Sequence, residues 1–218
     1  MKKTSRWIAC AAAAGVMTVV VAGPAQAAPT VQALWNMDAV PAMVDSAGGD
    51  NNGTTSAIAM RQGAYDFNGS TSIATVQHKP NLNPGGSNIK VEARINVDTP
   101  PAPGETYDII RKGTSVTSTG YYKIELKGKT GGGMNAACIF KDGNKVVGQA
   151  IGSIPSRTWV TITCTKTATS VTLVAGATRT TARTVGAIAN TAPVYVGGKG
   201  DGTDVFDGMM DYASITIG

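Results

Sequence analysis

Histidine occurs once in these 218 residues, glutamate three times, and aromatic side chains make up only 6% of the chain. Each scarcity excludes a chemistry. With His78 as the sole imidazole, a zinc site of several nitrogen ligands cannot be assembled. A serine-hydrolase triad would have to use that same residue, which lies in the loop sequence Gln77-His78-Lys79-Pro80, and the chain has no G-x-S-x-G elbow. His78 therefore reads as an exposed loop residue. Charged residues are also few, 15%, and lysines are interspersed with carboxylates, so no basic stripe suited to nucleic acid or anionic lipid forms. The three-and-four spacing of an amphipathic helix is absent as well. What the chain has in quantity is glycine, 27 residues spread as turn punctuation without a linker or a fixed repeat.

The one long apolar run opens the chain. Lys2, Lys3 and Arg6 precede an apolar stretch from Trp7 to Val21, and the small-residue pattern Ala25-Gln26-Ala27 follows. This is the pattern of a secretory signal peptide cleaved after Ala27, and the run falls short of the ~20 residues that a membrane span needs. The expectation is a leader at 1–27 and one domain at 28–218, secreted to the extracellular space and without membrane attachment after cleavage. The leader takes three of the 19 basic residues and none of the 14 acidic ones, so the formal charge of +5 falls to +2. Cys10 leaves with it. Cys138 and Cys164 remain, in the strand-like runs AACIF and VTITCT, and an exported chain with two cysteines predicts a disulfide bond between them, tying neighbouring strands.

The segment NIKVEARINV, residues 88–97, sets the architecture. Ile89, Val91, Ala93, Ile95 and Val97 are apolar and the residues between them are polar, the period-two signature of a strand with one face packed and one face wet. Further strands are expected at 31–38, 54–60, 64–67, 72–76, 107–112, 120–127, 134–140, 145–150, 158–165, 170–175, 178–181, 194–197 and 206–217. Asn68-Gly69 and Asp142-Gly143-Asn144 mark hairpin turns. The sum is an all-β, antiparallel, two-sheet sandwich.

The ordered series LWNMD (34–38), VDSAGGDNNGT (44–54), YDFNGS (65–70), LNPGGSNIKVEARI (82–95), IIRKG (109–113), the stretch around Trp159, VYVGG (194–198) and FDGMMDYASI (206–215) resembles the laminin-G-like branch of the concanavalin-like lectin and glucanase superfamily. The resemblance spans the whole of 28–218 and implies a jelly roll. The chain departs from that pattern at Val160-Thr161, where relatives often carry histidine, and at Ala175-Gly176, where they often carry Asp-Gly. The resemblance also implies that Trp35 and Trp159 belong to the core, that a calcium ion is a possible cofactor, and that extracellular glycans or surface proteins are the ligand class.

Three chemistries follow from these residues. A glucanase needs paired carboxylates, one of them held protonated; Glu92 stands between Lys90 and Arg94, and Glu125 between Lys123 and Lys127, and such cations favour the ionised form. A calcium site would draw on Asp201, Asp204 and Asp207, which share one glycine-broken loop. A sugar platform falls to Tyr121, because its neighbour Tyr122 shares the apolar phase with Ile124 and Leu126, which turns Tyr121 outward. The Gly128-Lys129-Thr130 and Gly198–Gly202 segments lack the strand-to-helix setting of phosphate loops and read as turns. The expected function is a secreted, non-catalytic binding or adhesion module, carbohydrate-binding by resemblance, with a glycoside hydrolase and a self-assembling envelope protein as the alternatives.

Overall fold

The computed structural model describes residues 28–143 and 146–218, so the leader and its cleavage site lie outside the described residues. Sixteen strands run through them. The first six are β1 (Thr30–Trp35), β2 (Ala42–Met43), β3 (Gly53–Ser56), β4 (Ala59–Arg61), β5 (Ala64–Asn68) and β6 (Ile73–Val76). After a 3-10 turn at Pro80–Leu82 come β7 (Ile89–Val97), β8 (Thr106–Lys112), β9 (Tyr121–Gly128), β10 (Met134–Lys141) and β11 (Val146–Ile154). The last five are β12 (Trp159–Lys166), β13 (Val171–Ala175), β14 (Ala177–Thr181), β15 (Val194–Val196) and β16 (Asp207–Ile217). The described residues contain no α-helix.

These strands form two antiparallel sheets of eight. Sheet I runs β14-β13-β12-β7-β16-β5-β4, with β1 alongside the far half of β16, and sheet II runs β11-β10-β9-β8-β15-β6-β3-β2. The strand whose alternation was clearest in the sequence, β7, is the centre of sheet I. All five of its apolar side chains are buried and its four polar ones are half-exposed. Burying each such Val or Ile contributes ~1.5–3 kcal/mol. The expected strand at 54–60 is instead two strands in different sheets, because Ala57 adopts a positive φ of 51° and turns the chain from sheet II to sheet I.

Cys138 on β10 and Cys164 on β12 are bonded, with Cα atoms 5.5 Å apart. They do not sit on neighbouring strands of one sheet, as the sequence reading expected. Cys138 is in phase with Ala136 and Phe140, and Cys164 with Ile162, so both point into the core and the bond joins sheet II to sheet I.

The loop Asp45–Asn52 is tied down by its own carboxylate. Asp45 accepts hydrogen bonds from the backbone N–H groups of Leu34, Ala47 and Asn51, each at 3.0 Å. Burial works to raise its pKa, but these donors outweigh burial and hold the carboxyl below the usual range. Trp35, fully buried, donates its indole N–H to Asn51 O at 2.8 Å, so the core side of the loop is fixed too.

Two lysines close one end of the sandwich from inside. Lys112 and Lys166 are fully buried in core phase. Lys112 Nζ donates to Ala192 O at 2.6 Å and Asn190 O at 3.1 Å, while Lys166 Nζ donates to Ser87 O at 3.0 Å. Burial depresses both, Lys112 to about 8. His78 is not the free loop residue expected. Its Nδ1 lies 3.1 Å from Lys112 Nζ, it is half-buried, and burial together with the Lys112 charge lowers its pKa.

Candidate functional site

The outer face of sheet II carries an unusual density of charge. A bulge at Ile109 shifts the phase of β8, so that Asp108 and Arg111 both face outward. Across the ladder Asp108 stands opposite Glu125, and Arg111 opposite Lys123 on one side and Tyr195 on the other. Asp108 forms ion pairs with Arg111 and, at 3.2 Å, with Lys123, which also pairs with Glu125. Arg111 Nε donates to Gly113 O at 3.0 Å. Asp108 is fully buried and Arg111 is 3% exposed.

Desolvation opposes every charge in this cluster, and the cluster answers it differently at each member. Burial pushes the Asp108 carboxyl above its usual range against the pull of Arg111 and Lys123. At Lys123 burial would lower the pKa, but Asp108 and Glu125 outweigh it and hold the ammonium protonated above the ordinary lysine range.

The loop between β15 and β16 folds over this face. Asp204 O accepts from Asp108 N at 2.9 Å, and Lys199 Nζ pairs with Asp204 at 2.5 Å. Gly200 rests directly on the Tyr195 ring, where a Cβ would collide with Cζ and the hydroxyl. A cleft of about 330 Å³ remains, lined by Arg111, Thr114, Tyr195, Lys199, Gly200 and Asp201. It offers the Tyr195 ring, the Lys199 ammonium, the Thr114 hydroxyl and the Asp201 carboxylate around a shallow depression whose floor is closed by the buried Arg111, a mixture that orients a small polar ligand over an apolar surface.

Several sequence-stated residues meet here, in other roles. Tyr121 is on the outward side, as its alternation required, but it is 6% exposed and burial raises its pKa, so it supports the cluster and presents no open platform. The calcium set does not converge. Asp201 Oδ1 accepts from Thr203 N at 3.0 Å and Thr203 Oγ1 at 2.7 Å, Asp204 is held by Lys199, and Asp207 begins β16 opposite Asn68. Among the described residues no three His, Cys, Asp or Glu side chains are grouped to hold a metal. A pair of carboxylates does stand across the ladder, Asp108 opposite Glu125, where the glutamates alone suggested none. Lys123 bridges them, and the Arg111 pair holds Asp108 in the buried layer.

Trp159 does not lie in the core, where the family resemblance put it. It is half-exposed on the outer face of sheet I, with the Arg94 guanidinium 4.7 Å from its ring centre. The signal was in the run WVTITCT, where Trp159 shares the phase of Thr161, Thr163 and Thr165 and opposes that of Ile162 and Cys164.

No protein-family model matches the sequence, and no curated protein matches it. Solved structures do. The binding domain of Paraclostridial Mosquitocidal Protein 1 is similar at a TM-score of 0.66 and 19% identity, over 85% of this chain and 48% of that one. The chain thus spans about half the length of that binding domain, and the same holds for the binding domain of botulinum neurotoxin serotype D, at 0.66 and 15%. Domain 4 of AbnA, an extracellular arabinanase of Geobacillus stearothermophilus solved with arabinotriose, is similar at 0.58 and 17%, over 87% of this chain and 93% of that one. At these identities the likeness establishes the fold alone, an all-β antiparallel two-sheet sandwich.

Proposed function

We propose that the domain is a secreted, non-catalytic carbohydrate-binding module of the laminin-G-like branch, and that its ligand sits in the cleft over sheet II. The observation that carries this reading is the cleft itself, where Tyr195, Thr114, Lys199 and Asp201 converge above the buried Arg111 on a depression of about 330 Å³. The whole-length likeness to AbnA domain 4, solved with arabinotriose, supports the same class of ligand. Botulinum neurotoxin type C, whose cell entry depends on two ganglioside molecules, has a similar fold over 85% of this chain. Glycan on a surface is therefore the partner we assign.

The hydrolase alternative has one observation behind it, the cross-strand Asp108 and Glu125. Both are engaged by Lys123, and a retaining or inverting mechanism needs one carboxyl free to donate a proton and the other free to attack or to activate water. The binding reading is the better fit. Titration of the purified domain against neutral and acidic oligosaccharides tests it: Tyr195→Ala should weaken binding about tenfold or more with a small change in melting temperature. Polysaccharide hydrolysis that disappears in Glu125→Gln would overturn the reading, and so would glycan affinity indifferent to both Tyr195→Ala and Lys199→Ala.

A further inference from the structure

The charges around the cleft over sheet II do not balance. Beneath its floor Arg111 pairs with Asp108, and Lys123 pairs with both Asp108 and Glu125. At its rim Lys199 Nζ holds Asp204 at 2.5 Å. Asp201 is the carboxylate left over. It is exposed, its Oδ1 accepts from Thr203 N at 3.0 Å and Thr203 Oγ1 at 2.7 Å, and among the described residues it forms no ion pair.

Three cations, Arg111, Lys123 and Lys199, therefore face four carboxylates, Asp108, Glu125, Asp204 and Asp201, and the surplus is one negative charge at the open rim. Lys141 is the next cation along the sheet. It stands on β10, two strands and so roughly 10 Å from β8, with its Nζ turned to Ser115 O at 2.7 Å. That separation is about one Debye length at physiological salt, too far for Lys141 to cancel the rim charge. The hydroxyl and N–H of Thr203, aided by the Lys199 charge, hold the Asp201 carboxyl below the usual range, so it is ionised at neutral pH. A ligand anion would meet that charge without an open cation to offset it, because Arg111 is 3% exposed and Lys199 is engaged. A ligand cation would find a partner.

We propose that Asp201 sets the charge preference of the cleft, and that the ligand is a glycan carrying a protonated amino group, an unacylated hexosamine, bound in preference to neutral and acidic sugars. The inference rests on the reading of the cleft as the glycan site and adds the substituent which that site selects. The ammonium is placed at Asp201 Oδ2, the oxygen that Thr203 leaves free, and the exposed Thr114 hydroxyl in the same lining is open to a ring hydroxyl. An exposed ammonium–carboxylate pair is worth up to about fivefold in affinity, which is the size of preference to look for.

Glucosamine and N-acetylglucosamine oligomers of equal length test this, since they share a backbone and differ only at the amine, and a galacturonate oligomer supplies the acidic arm. Binding to the whole domain is measured by calorimetry in low salt at about pH 6, above the carboxylate range and below that of amines. The glucosamine oligomer should bind about three- to fivefold more tightly than its acetylated form, with galacturonate weakest, and the ratio should shrink as salt is added. Asp201→Asn keeps the oxygen that Thr203 bonds and removes the charge, so the ratio should fall to about one. Lys199→Met strips Asp204 of its partner and should raise it. Asp38→Asn, at an exposed carboxylate near Tyr65 of sheet I, changes the net charge equally and should leave the ratio where it was. Equal or tighter binding of the acetylated or acidic oligomer, a ratio that survives Asp201→Asn, or one that falls as far in Asp38→Asn, would overturn the inference and leave the glycan site standing. Absence of any Tyr195-dependent binding would overturn both.

Discussion

Removing the Asp108 carboxylate should be among the most damaging single changes outside the apolar core. Asp108→Ala leaves Arg111, 3% exposed, and Lys123, 9% exposed, facing each other across a ladder position with one anion, Glu125, where there were two. Breaking a buried ion pair by deleting one partner costs about 3–5 kcal/mol, since the surviving charges lose their counter-charge but not their desolvation. For a domain of this size each kcal/mol moves the melting temperature by about 2–4 °C, so a fall of roughly 10 °C is expected. The matched control is Asp66→Ala, which removes a carboxylate from the half-exposed Arg61 pair and should cost less than about 1 kcal/mol. Chemical denaturation gives both free energies, and an unchanged m-value confirms that the comparison is between like states. Replacing the whole cluster by an apolar set, Asp108→Leu and Glu125→Leu with Arg111→Met and Lys123→Met, should recover much of the loss. An Asp108→Ala penalty no larger than that of Asp66→Ala would refute the reasoning, because it would mean that water reaches the cluster.

Two further outcomes follow from the core. The Lys112 ammonium titrates at about 8 when folded and near 10.5 when unfolded, so between those values the unfolded chain binds the extra proton and stability rises with pH. The clean window is pH 8 to 10, before Tyr65, raised to about 12 by burial, begins to act in the opposite sense, and the gain should reach up to about 2 kcal/mol; a stability flat or falling across that window, or a slope unaltered in Lys112→Met, would count against the buried ammonium. Reduction, or the Cys138→Ala/Cys164→Ala pair, opens a loop of sequence separation 26 and should cost about 3.5 kcal/mol by chain entropy, read as a shift in denaturation midpoint. A loss under about 1 kcal/mol would show that the cross-link does not restrict the unfolded chain in this way.

Strand alternation was legible wherever a strand is regular. It placed β7 correctly and, followed strictly through WVTITCT, it puts Trp159 outward; family resemblance drew that residue into the core instead. It also set Tyr121 on the outer side of β9. What local sequence cannot report is the loop from Gly197 to Phe206, more than seventy residues later, which folds over that side and helps bury the charges beneath. Asp108 was hidden for a second reason. A strict period of two through YDIIRK would put Asp108 and Arg111 on opposite faces, and only the bulge at Ile109 reunites them. The cysteine phase, inward on both strands, contained the inter-sheet pairing, but the choice between a partner beside and a partner across depends on which strands share a sheet.

That covalent tie has a mechanical side. Under a pulling force applied at the chain ends, two sheets held by side-chain packing can shear or peel apart strand by strand. Cys138 and Cys164 fasten one sheet to the other, so the segment between them, which would stretch to about 90 Å if fully extended, cannot pay out under tension while the bond is intact. Pulling on the domain can therefore unravel only the strands before Cys138 and after Cys164, and the first of those to yield sets the force at which it lets go.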